Sequence, residues 1–215
     1  MAIDPVTASR RMRALGAMAP VIPVLVVEDA DQARPLAEAL VVGGLPVLEV
    51  TLRTPAAAEV IRQMREVPGA IVGAGTVITP GDVQIARAAG AQFAVSPGAT
   101  DALLAACEAA DLPLLPGAAT ASEAMALLAR GYDVLKFFPA EAAGGAAGLK
   151  ALAGPLPQIS FCPTGGVSPT NAPNYLALPT VPCVGGSWVA PKPLLAAGDW
   201  PAIRALAQQA RGLGA

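Results

Sequence analysis

The sequence predicts an α/β fold, specifically a single-domain (β/α)8 TIM barrel, from three observations. Short apolar stretches alternate with amphipathic stretches, and eight such pairs follow one another along the chain. The 215 residues are 54% hydrophobic, which is enough apolar material for one domain with a large buried core. No linker or run of charges divides the chain, so we predict one domain over residues 1–215, with residues 1–20 as an N-terminal extension or helix.

The eight predicted strands are apolar runs bounded by residues that favour turns. Because a parallel strand between helices is buried on both faces, such a run is nearly continuous and does not alternate with polar residues. In chain order the predicted strands are 21–27, 46–52, 70–77, 93–96, 113–115, 134–138, 158–162 and 182–184.

The stretches between the strands have the features of helices. The fifth shows the helical period, with Ala121, Ala124 and Leu128 on one face, and Thr79-Pro80 is typical of a helix start. The predicted helices are 31–42, 55–66, 80–89, 100–110, 120–130, 144–153, 170–177 and 199–211. Eight strand–helix pairs favour closure into a barrel, and a doubly wound open sheet is the structural alternative.

Composition excludes several classes of function. The chain has no histidine, so a Ser-His-Asp triad, a His-ligated zinc and a histidine general base are excluded. The net charge is −2, and the sequence has no stripe of basic residues of the kind that binds nucleic-acid phosphates. No apolar run is long enough to cross a bilayer. We therefore expect neither a nucleic-acid nor a membrane partner.

Two further features bear on the cellular compartment. The three cysteines are odd in number and widely spaced, which is typical of reduced thiols in a cytoplasmic protein. Arg10-Arg11 before an apolar stretch is similar to a twin-arginine export signal, but Pro20 and Pro23 interrupt that stretch, and its residues are needed for the first strand. We therefore predict a cytoplasmic protein.

Polar side chains gather at one end of the predicted strands. In barrels of parallel strands, functional residues lie at the carboxyl ends of the strands and in the loops that follow. The polar residues found there are Glu49, Thr51, Arg53, Thr76, Ser96, Lys136, Thr164 and Ser187. The amino ends are nearly free of charge, so this asymmetry predicts a site at the carboxyl ends.

Glu49 and Lys136 are anomalous because each interrupts an apolar run. A charge buried in a parallel strand must be paired or serve a purpose. Lys136 is one of three lysines, and the one that lies within a predicted strand. The two residues belong to the second and sixth strands, which can share one interior layer, so we expect them to meet across the barrel mouth. Period-2 alternation places Arg53 on the same face as Glu49.

Two interpretations of this pair stay open from the residues alone. One is a structural ion pair. The other is chemical, because a buried amine is disfavoured in its charged form, and the neutral amine attacks a carbonyl to form an iminium. In that case the Glu49 carboxylate moves protons, and Arg53 clamps a substrate carboxylate. For Arg53, a solvated side chain at the end of a strand without a role in binding is as good an interpretation as the clamp.

Two glycine pairs follow the last two predicted strands, Gly165-Gly166 and Gly185-Gly186. Glycine lets backbone N–H groups approach an anion closely, and the loops after strands seven and eight are the usual phosphate site of this fold. We therefore favour a phosphate site over plain turns. Gly73-Ala74-Gly75 lacks the rest of a dinucleotide fingerprint and is predicted to relieve crowding or bend its strand.

Seven segments together resemble one known family, and they occur in order from about Val21 to the C-terminus. They are LEVTLR at 48–53, GAGTV at 73–77, SPG at 96–98, LPG at 115–117, KFFPAE at 136–141, FCPTGG at 161–166 and GGSW at 185–188. This specific set resembles the 2-keto-3-deoxy-6-phosphogluconate aldolase family, which also acts on 4-hydroxy-2-oxoglutarate.

The resemblance implies a class I, metal-independent aldolase of the Entner–Doudoroff pathway, without a cofactor or metal, that works as a homotrimer. Carried over residue by residue, it implies that Lys136 forms the Schiff base and that Glu49 is the general acid/base. The substrate-binding residues that it implies are Arg53, Thr76, Pro97, Phe138, Thr164, Gly165, Gly166, Gly186 and Ser187.

The reaction that the resemblance implies is cleavage of 2-keto-3-deoxy-6-phosphogluconate to pyruvate and glyceraldehyde 3-phosphate. Cleavage of 4-hydroxy-2-oxoglutarate to pyruvate and glyoxylate is implied as well. Two alternatives stay open: an aldolase for the epimeric 2-keto-3-deoxy-6-phosphogalactonate, and a barrel that binds a sugar phosphate without catalysis.

Overall fold

The structure, a computed structural model, describes residues 2–214. Strands and helices alternate along that range, as predicted. The strands are β1 Val21–Leu25, β2 Val47–Thr51, β3 Ile71–Gly75, β4 Ala94–Val95, β5 Leu114–Leu115, β6 Gly117–Ala118, β7 Val134–Phe137, β8 Ser160–Pro163 and β9 Val184–Gly186. The helices are α1 Pro5–Gly16, α2 Ala33–Val42, α3 Ala57–Met64, α4 Pro80–Ala89, α5 Asp101–Ala109, α6 Ala121–Arg130, α7 Gly145–Ala153, α8 Ala172–Leu176, α9 Lys192–Ala197 and α10 Trp200–Arg211.

All strand pairs are parallel, and they form two sheets, ordered β5-β4-β3-β2-β1-β9 and β6-β7-β8. The two sheets meet at both sides. Only Pro116 separates β5 from β6, and an isolated parallel bridge pairs Thr164, directly after β8, with Gly185 in β9. The first and last strands are neighbours, with Val21 paired to Val184. The chain therefore has a curled parallel α/β fold of the TIM-barrel-like class.

Most strands differ from the prediction by one or two residues at their ends, and two differ in a way that has a structural reason. The fifth was predicted at 113–115, but the chain also pairs again at Gly117–Ala118, because Pro116 has no N–H and interrupts the ladder between two short strands. The last was predicted at 182–184 and lies at Val184–Gly186, since two glycines that are typical of a turn are here part of the strand.

The eight predicted helices are all present, and their ends are fixed by local signals. Thr79 and Asp82 form a capping box at the start of α4, and Thr120 and Glu123 form one at the start of α6. α1 falls within the N-terminal stretch that was set apart from the barrel. The short α9 was not predicted. No helix between residues 2 and 214 is long and apolar enough to cross a membrane.

Alternate strand residues contact two different groups of buried side chains. The first group, the outer cluster, joins strand residues such as Leu48 and Leu135 to helix residues such as Leu36 and Val60. The second group, the inner cluster, comprises Met12, Ile22, Val47, Phe93, Val95, Leu115, Val134, Cys162 and Cys183. Because side chains alternate along a strand, the inner cluster lies on the face turned away from the helices, which we call the inner face.

α1 packs at the amino ends of the strands. Its Met12 belongs to the inner cluster, and Arg13 forms a 2.9 Å ion pair with Asp133, the residue before β7. The Asp133 N–H also donates to the Ser9 hydroxyl at 3.1 Å. The amino end of the inner face is therefore packed, which leaves the carboxyl ends of the strands for a site.

Candidate active site

A buried ion pair lies on the inner face. The Lys136 Nζ and the Glu49 Oε1 are 3.4 Å apart, and the two side chains are only 7% and 4% exposed. Nζ also lies 5.2 Å from the centre of the Phe138 ring, which is within the range of a cation–π contact. The structure thus confirms that the two charged residues meet.

Strand alternation explains where both charges lie. Glu49 is two residues after Val47, Lys136 is two residues after Val134, and both valines belong to the inner cluster. The inner face of each strand therefore changes from apolar to charged within one step towards the carboxyl end. The Lys136 N–H donates to the Pro116 carbonyl at 2.9 Å, which holds the backbone at the base of the amine.

Two glycines in β3 leave space for neighbouring side chains on this face. A Cβ at Gly75 would overlap the Glu49 carboxylate, and a Cβ at Gly73 would overlap the Phe93 ring. These glycines relieve crowding, as predicted. Thr76 follows with a φ of 59°, a left-handed conformation that costs a β-branched residue about 1–3 kcal/mol. The surrounding structure must hold this turn in place.

A cleft of ≈ 460 Å³ opens above the ion pair. The predicted site residues that line it are Arg53, Lys136, Phe138, Thr164, Gly165, Gly166 and Ser187. Arg53 reaches the cleft from a turn after β2, because the strand ends at Thr51. The loop after β8 depends on glycine, since Gly165 and Gly166 have φ values of 98° and 78°.

Four predicted site residues do not line this cleft. Glu49 contacts Lys136, and Thr76 lies in the turn after β3. Pro97 lies against β6, where its carbonyl occupies the space that a Cβ at Gly117 would need. Gly186 lies in β9, and a Cβ there would overlap the Trp188 ring. The structure therefore gives Gly186 a packing role, and its neighbour Gly185 is the glycine that lines the cleft.

The sequence interpretation missed several residues at the site. Val24 lines the cleft two residues after Ile22 of the inner cluster, so its alternation could have identified it. Lys192 also lines the cleft. The sequence feature that could have drawn attention to it is the scarcity of lysine in this chain. The Ser96 hydroxyl is fully buried, and no hydrogen-bond partner lies within the described part of the chain.

The cysteines are free and buried, as predicted, and none lines the cleft. Cys162 and Cys183 have their Sγ atoms 3.7 Å apart in the inner cluster. Burial raises the pKa of Cys107 to about 12, and the hydrogen bond to Cys162, with burial, raises the pKa of Cys183. Thiols with raised pKa values are poor nucleophiles at neutral pH, so Lys136 is the better candidate nucleophile.

The cleft therefore exposes an amine that is paired with a carboxylate beneath it. This set can form an imine with a ketone and move protons to and from the adduct. Within residues 2–214, no group of three or more Cys, Asp and Glu side chains is placed to hold a metal ion.

Comparison with known proteins identifies the family. The sequence model of the family described as aldolase, KDPG and KHG aldolase, matches residues 13–206. The chain belongs to this family. KDPG is 2-keto-3-deoxy-6-phosphogluconate, and KHG is 4-hydroxy-2-oxoglutarate. The KHG/KDPG aldolase of Escherichia coli K12 is 53% identical over 192 residues, which are 89% of this chain and 90% of that protein.

Two solved structures of KDPG aldolases are similar over nearly the whole chain. The Zymomonas mobilis ZM4 enzyme, solved with 3-phosphoglycerate, has a TM-score of 0.90 and 51% identity, covering 95% of this chain and 97% of that chain. The Legionella pneumophila enzyme, solved with pyruvate captured at low pH as a covalent carbinolamine intermediate, has a TM-score of 0.89 and 49% identity, covering 92% and 97%. The chain is therefore an aldolase.

Proposed function

We propose that this KDPG/KHG-family aldolase cleaves 2-keto-3-deoxy-6-phosphogluconate to pyruvate and glyceraldehyde 3-phosphate through a Schiff base on Lys136, without a metal. The observation that carries the proposal is the buried Lys136–Glu49 pair below an open cleft. The names of the relatives support the substrate, and the carbinolamine of the Legionella enzyme supports the covalent step. The name of the E. coli relative also supports cleavage of 4-hydroxy-2-oxoglutarate to pyruvate and glyoxylate.

The first half of the proposed mechanism builds the iminium. Glu49 accepts a proton from the Lys136 ammonium across the 3.4 Å contact, and the free amine adds to the C2 carbonyl. A proton moves from the nitrogen to the former carbonyl oxygen, which gives the carbinolamine. Glu49 then returns the proton to the departing hydroxyl of the carbinolamine, which leaves as water. The carboxylate is regenerated, so one residue serves as base and then as acid.

The second half breaks the carbon–carbon bond. Glu49 takes the proton of the C4 hydroxyl, the C3–C4 bond breaks, and the iminium nitrogen accepts the electron pair. Glyceraldehyde 3-phosphate leaves, and Glu49 gives the proton to C3 of the enamine. Addition of water to the new iminium releases pyruvate and restores the Lys136 ammonium beside the Glu49 carboxylate.

The remaining site residues bind the substrate in this proposal. We assign the keto-acid end to Arg53, with Thr76 and Pro97, and the wall of the pocket to Phe138. Thr164, which is buried beside the cleft, orients the sugar hydroxyls. We assign the phosphate to Gly165, Gly166 and Ser187 in the loops after β8 and β9, together with Gly186 at the end of β9.

Four further features of the protein are part of the proposal. The two sheets meet at both sides, which supports one closed eight-stranded barrel with β5 and β6 as halves of one strand. A single domain over residues 1–215, a homotrimer and a cytoplasmic location rest on the sequence and on the family resemblance.

Trapping with borohydride tests the covalent step. The protein is incubated with pyruvate and sodium borohydride, digested, and analysed by mass spectrometry. We expect the peptide that contains Lys136 to gain a reduced pyruvate, while the peptides of Lys150 and Lys192 serve as internal controls and stay unmodified. An adduct on another lysine, or none, would contradict the proposal. Cleavage rates on the gluconate and galactonate epimers, measured side by side, decide which of them is the better substrate.

A further inference from the structure

Lys192 lies on the wall of the cleft, yet no step of the proposed mechanism uses it. It is the first residue of α9, which follows the turn after β9. Its side chain is 76% exposed, and its Nζ lies 3.2 Å from the Glu28 Oε1, whose side chain is 72% exposed. An exposed ion pair of this kind contributes about 0–1 kcal/mol, so the ammonium can leave Glu28 at little cost.

The charges of the cleft point to a negatively charged ligand. The described residues that line it include three cations, Arg53, Lys136 and Lys192, and no carboxylate. In the proposed mechanism Lys136 becomes part of the covalent adduct and Arg53 holds the keto-acid carboxylate. Lys192 is then the cleft cation to which no group of the substrate is assigned, and the residues assigned to the phosphate include no cation.

A second recess shows how Lys192 can change partner. This recess has a volume of ≈ 360 Å³, contains Glu28 and Asp29, and shares Val26 and Lys192 with the cleft. The lysine therefore borders both spaces. A lysine has a flexible four-carbon stem and three donors that rotate, so its ammonium can turn from the recess to the cleft without movement of the backbone.

We propose that Lys192 determines specificity for phosphorylated keto acids by exchanging Glu28 for the phosphate of the substrate. The inference rests on the proposed function. It adds Lys192 as a phosphate-binding residue and Glu28 as the carboxylate that competes with the phosphate for the Lys192 ammonium. Glu28 holds the ammonium in the empty enzyme and is left to solvent when the phosphate arrives.

The experiment compares two substrates in three variants. The kcat/KM ratio of 2-keto-3-deoxy-6-phosphogluconate to 4-hydroxy-2-oxoglutarate is measured for the wild type, Lys192→Gln, Glu28→Gln and Lys150→Gln. Lys150 is the matched control, because it is an exposed lysine of α7 outside the cleft. We expect the ratio to fall about fivefold in Lys192→Gln and to rise about twofold in Glu28→Gln. The loss in Lys192→Gln should shrink at high ionic strength, because salt screens exposed charges.

A binding measurement keeps this inference separate from the proposed function. Calorimetry compares 3-phosphoglycerate with glycerate in the same variants, and Lys192→Gln should lose affinity for the phosphorylated ligand alone. If the wild type releases no pyruvate from either keto acid, the proposed function fails, and the binding comparison still decides the role of Lys192.

Three outcomes overturn the inference. The first is a Lys192→Gln variant with unchanged ratios. The second is an equal loss on phosphorylated and unphosphorylated compounds, which indicates a structural role in α9. The third is an unchanged ratio in Glu28→Gln, which excludes the exchange of partners.

Discussion

The two ends of the inner face are built from the same strands but carry opposite kinds of residue. At the amino end, Val47 and Val134 pack with Met12 of α1 in the inner cluster. Two residues further along the same strands, Glu49 and Lys136 form a buried ion pair below an open cleft. A single step of strand alternation therefore separates packing that stabilises the fold from groups that can do chemistry.

The difference between the apolar amino end and the charged carboxyl end explains how the fold tolerates a buried ion pair. Removing ions from water costs several kcal/mol, and pairing them offsets that cost only in part. The apolar amino end supplies burial that offsets the rest, since each fully buried large apolar side chain contributes about 1.5–3 kcal/mol. Substitutions at the amino end should therefore change stability, and substitutions at the carboxyl end should change activity.

Lys136→Ala should have the largest effect, a loss of turnover of at least about 10⁴-fold, because the covalent step has no amine. The variant also leaves Glu49 buried without a partner, which lowers stability. Steady-state kinetics and thermal unfolding measure the two effects. The double variant Lys136→Ala/Glu49→Gln is the control, and it should regain stability but no activity. Activity retained by Lys136→Ala would contradict the assignment of the nucleophile.

Glu49→Gln should slow turnover by about 10³-fold, because the amide keeps the shape of the side chain but cannot accept a proton. Trapping with pyruvate and borohydride should still modify Lys136, at a reduced rate, since the amine remains. The paired measurement separates proton transfer from covalent capture. Turnover at the wild-type rate would remove Glu49 from the mechanism.

Met12→Ala tests the amino end of the same face. Truncation of this buried residue leaves a cavity in the inner cluster and should lower the free energy of unfolding by about 3 kcal/mol. The kcat of the folded enzyme, measured well below its unfolding temperature, should change by less than about twofold. A large loss of kcat in a folded Met12→Ala enzyme would show that the two ends are coupled.

Gly75→Ala tests how tightly β3 packs against the Glu49 side chain at the carboxyl end of the inner face. The new Cβ overlaps the Glu49 carboxylate and must displace it, and a misplaced catalytic group costs about 10²-fold in rate. Gly98→Ala is the matched control, because a Cβ there meets nothing within 4 Å. The two variants are compared by kcat and by unfolding temperature. Equal kcat values would mean that Glu49 tolerates displacement.

Glu123→Ala should have the smallest effect, a loss of about 0.5–1 kcal/mol of stability without a change in kcat. The hydrogen bond from the Ala119 N–H at 2.8 Å holds the pKa of Glu123 below its usual value. A lowered pKa contributes stability above the unfolded pKa of about 4.3, and this contribution disappears as the pH falls through the folded pKa. Unfolding measured from pH 7 down to pH 3 should show the difference between the two proteins disappear.

Much of the fold could be predicted because its signals are local. Capping boxes such as Thr79 with Asp82 mark the helix starts in the sequence itself. β6 could not be predicted, because it is only two residues long, Gly117–Ala118, and Pro116 interrupts the apolar run before it. α9 is only six residues long and has prolines at positions 191 and 193 around its start, so no helical period is visible in it.

The charged pair of the site was predictable because a charge inside an apolar run is conspicuous in the sequence. The role of Gly75 was only partly predictable, since the pattern indicated crowding but not that Glu49 causes it. Lys192 could not be predicted as a cleft residue, because the path of a loop after the last strand has no periodic signal. Its position becomes visible only when the loop and Glu28 are seen together.

The cover that α1 forms at the amino ends gives the proposed reaction a direction. Because the described residues pack that side, we expect the substrate and both products to use the cleft at the carboxyl ends. In the proposed mechanism the aldehyde fragment leaves while the pyruvyl fragment is still bound to Lys136. Under this proposal release is ordered, with the aldehyde first and pyruvate last, and in reverse the enzyme loads pyruvate before it admits an acceptor aldehyde.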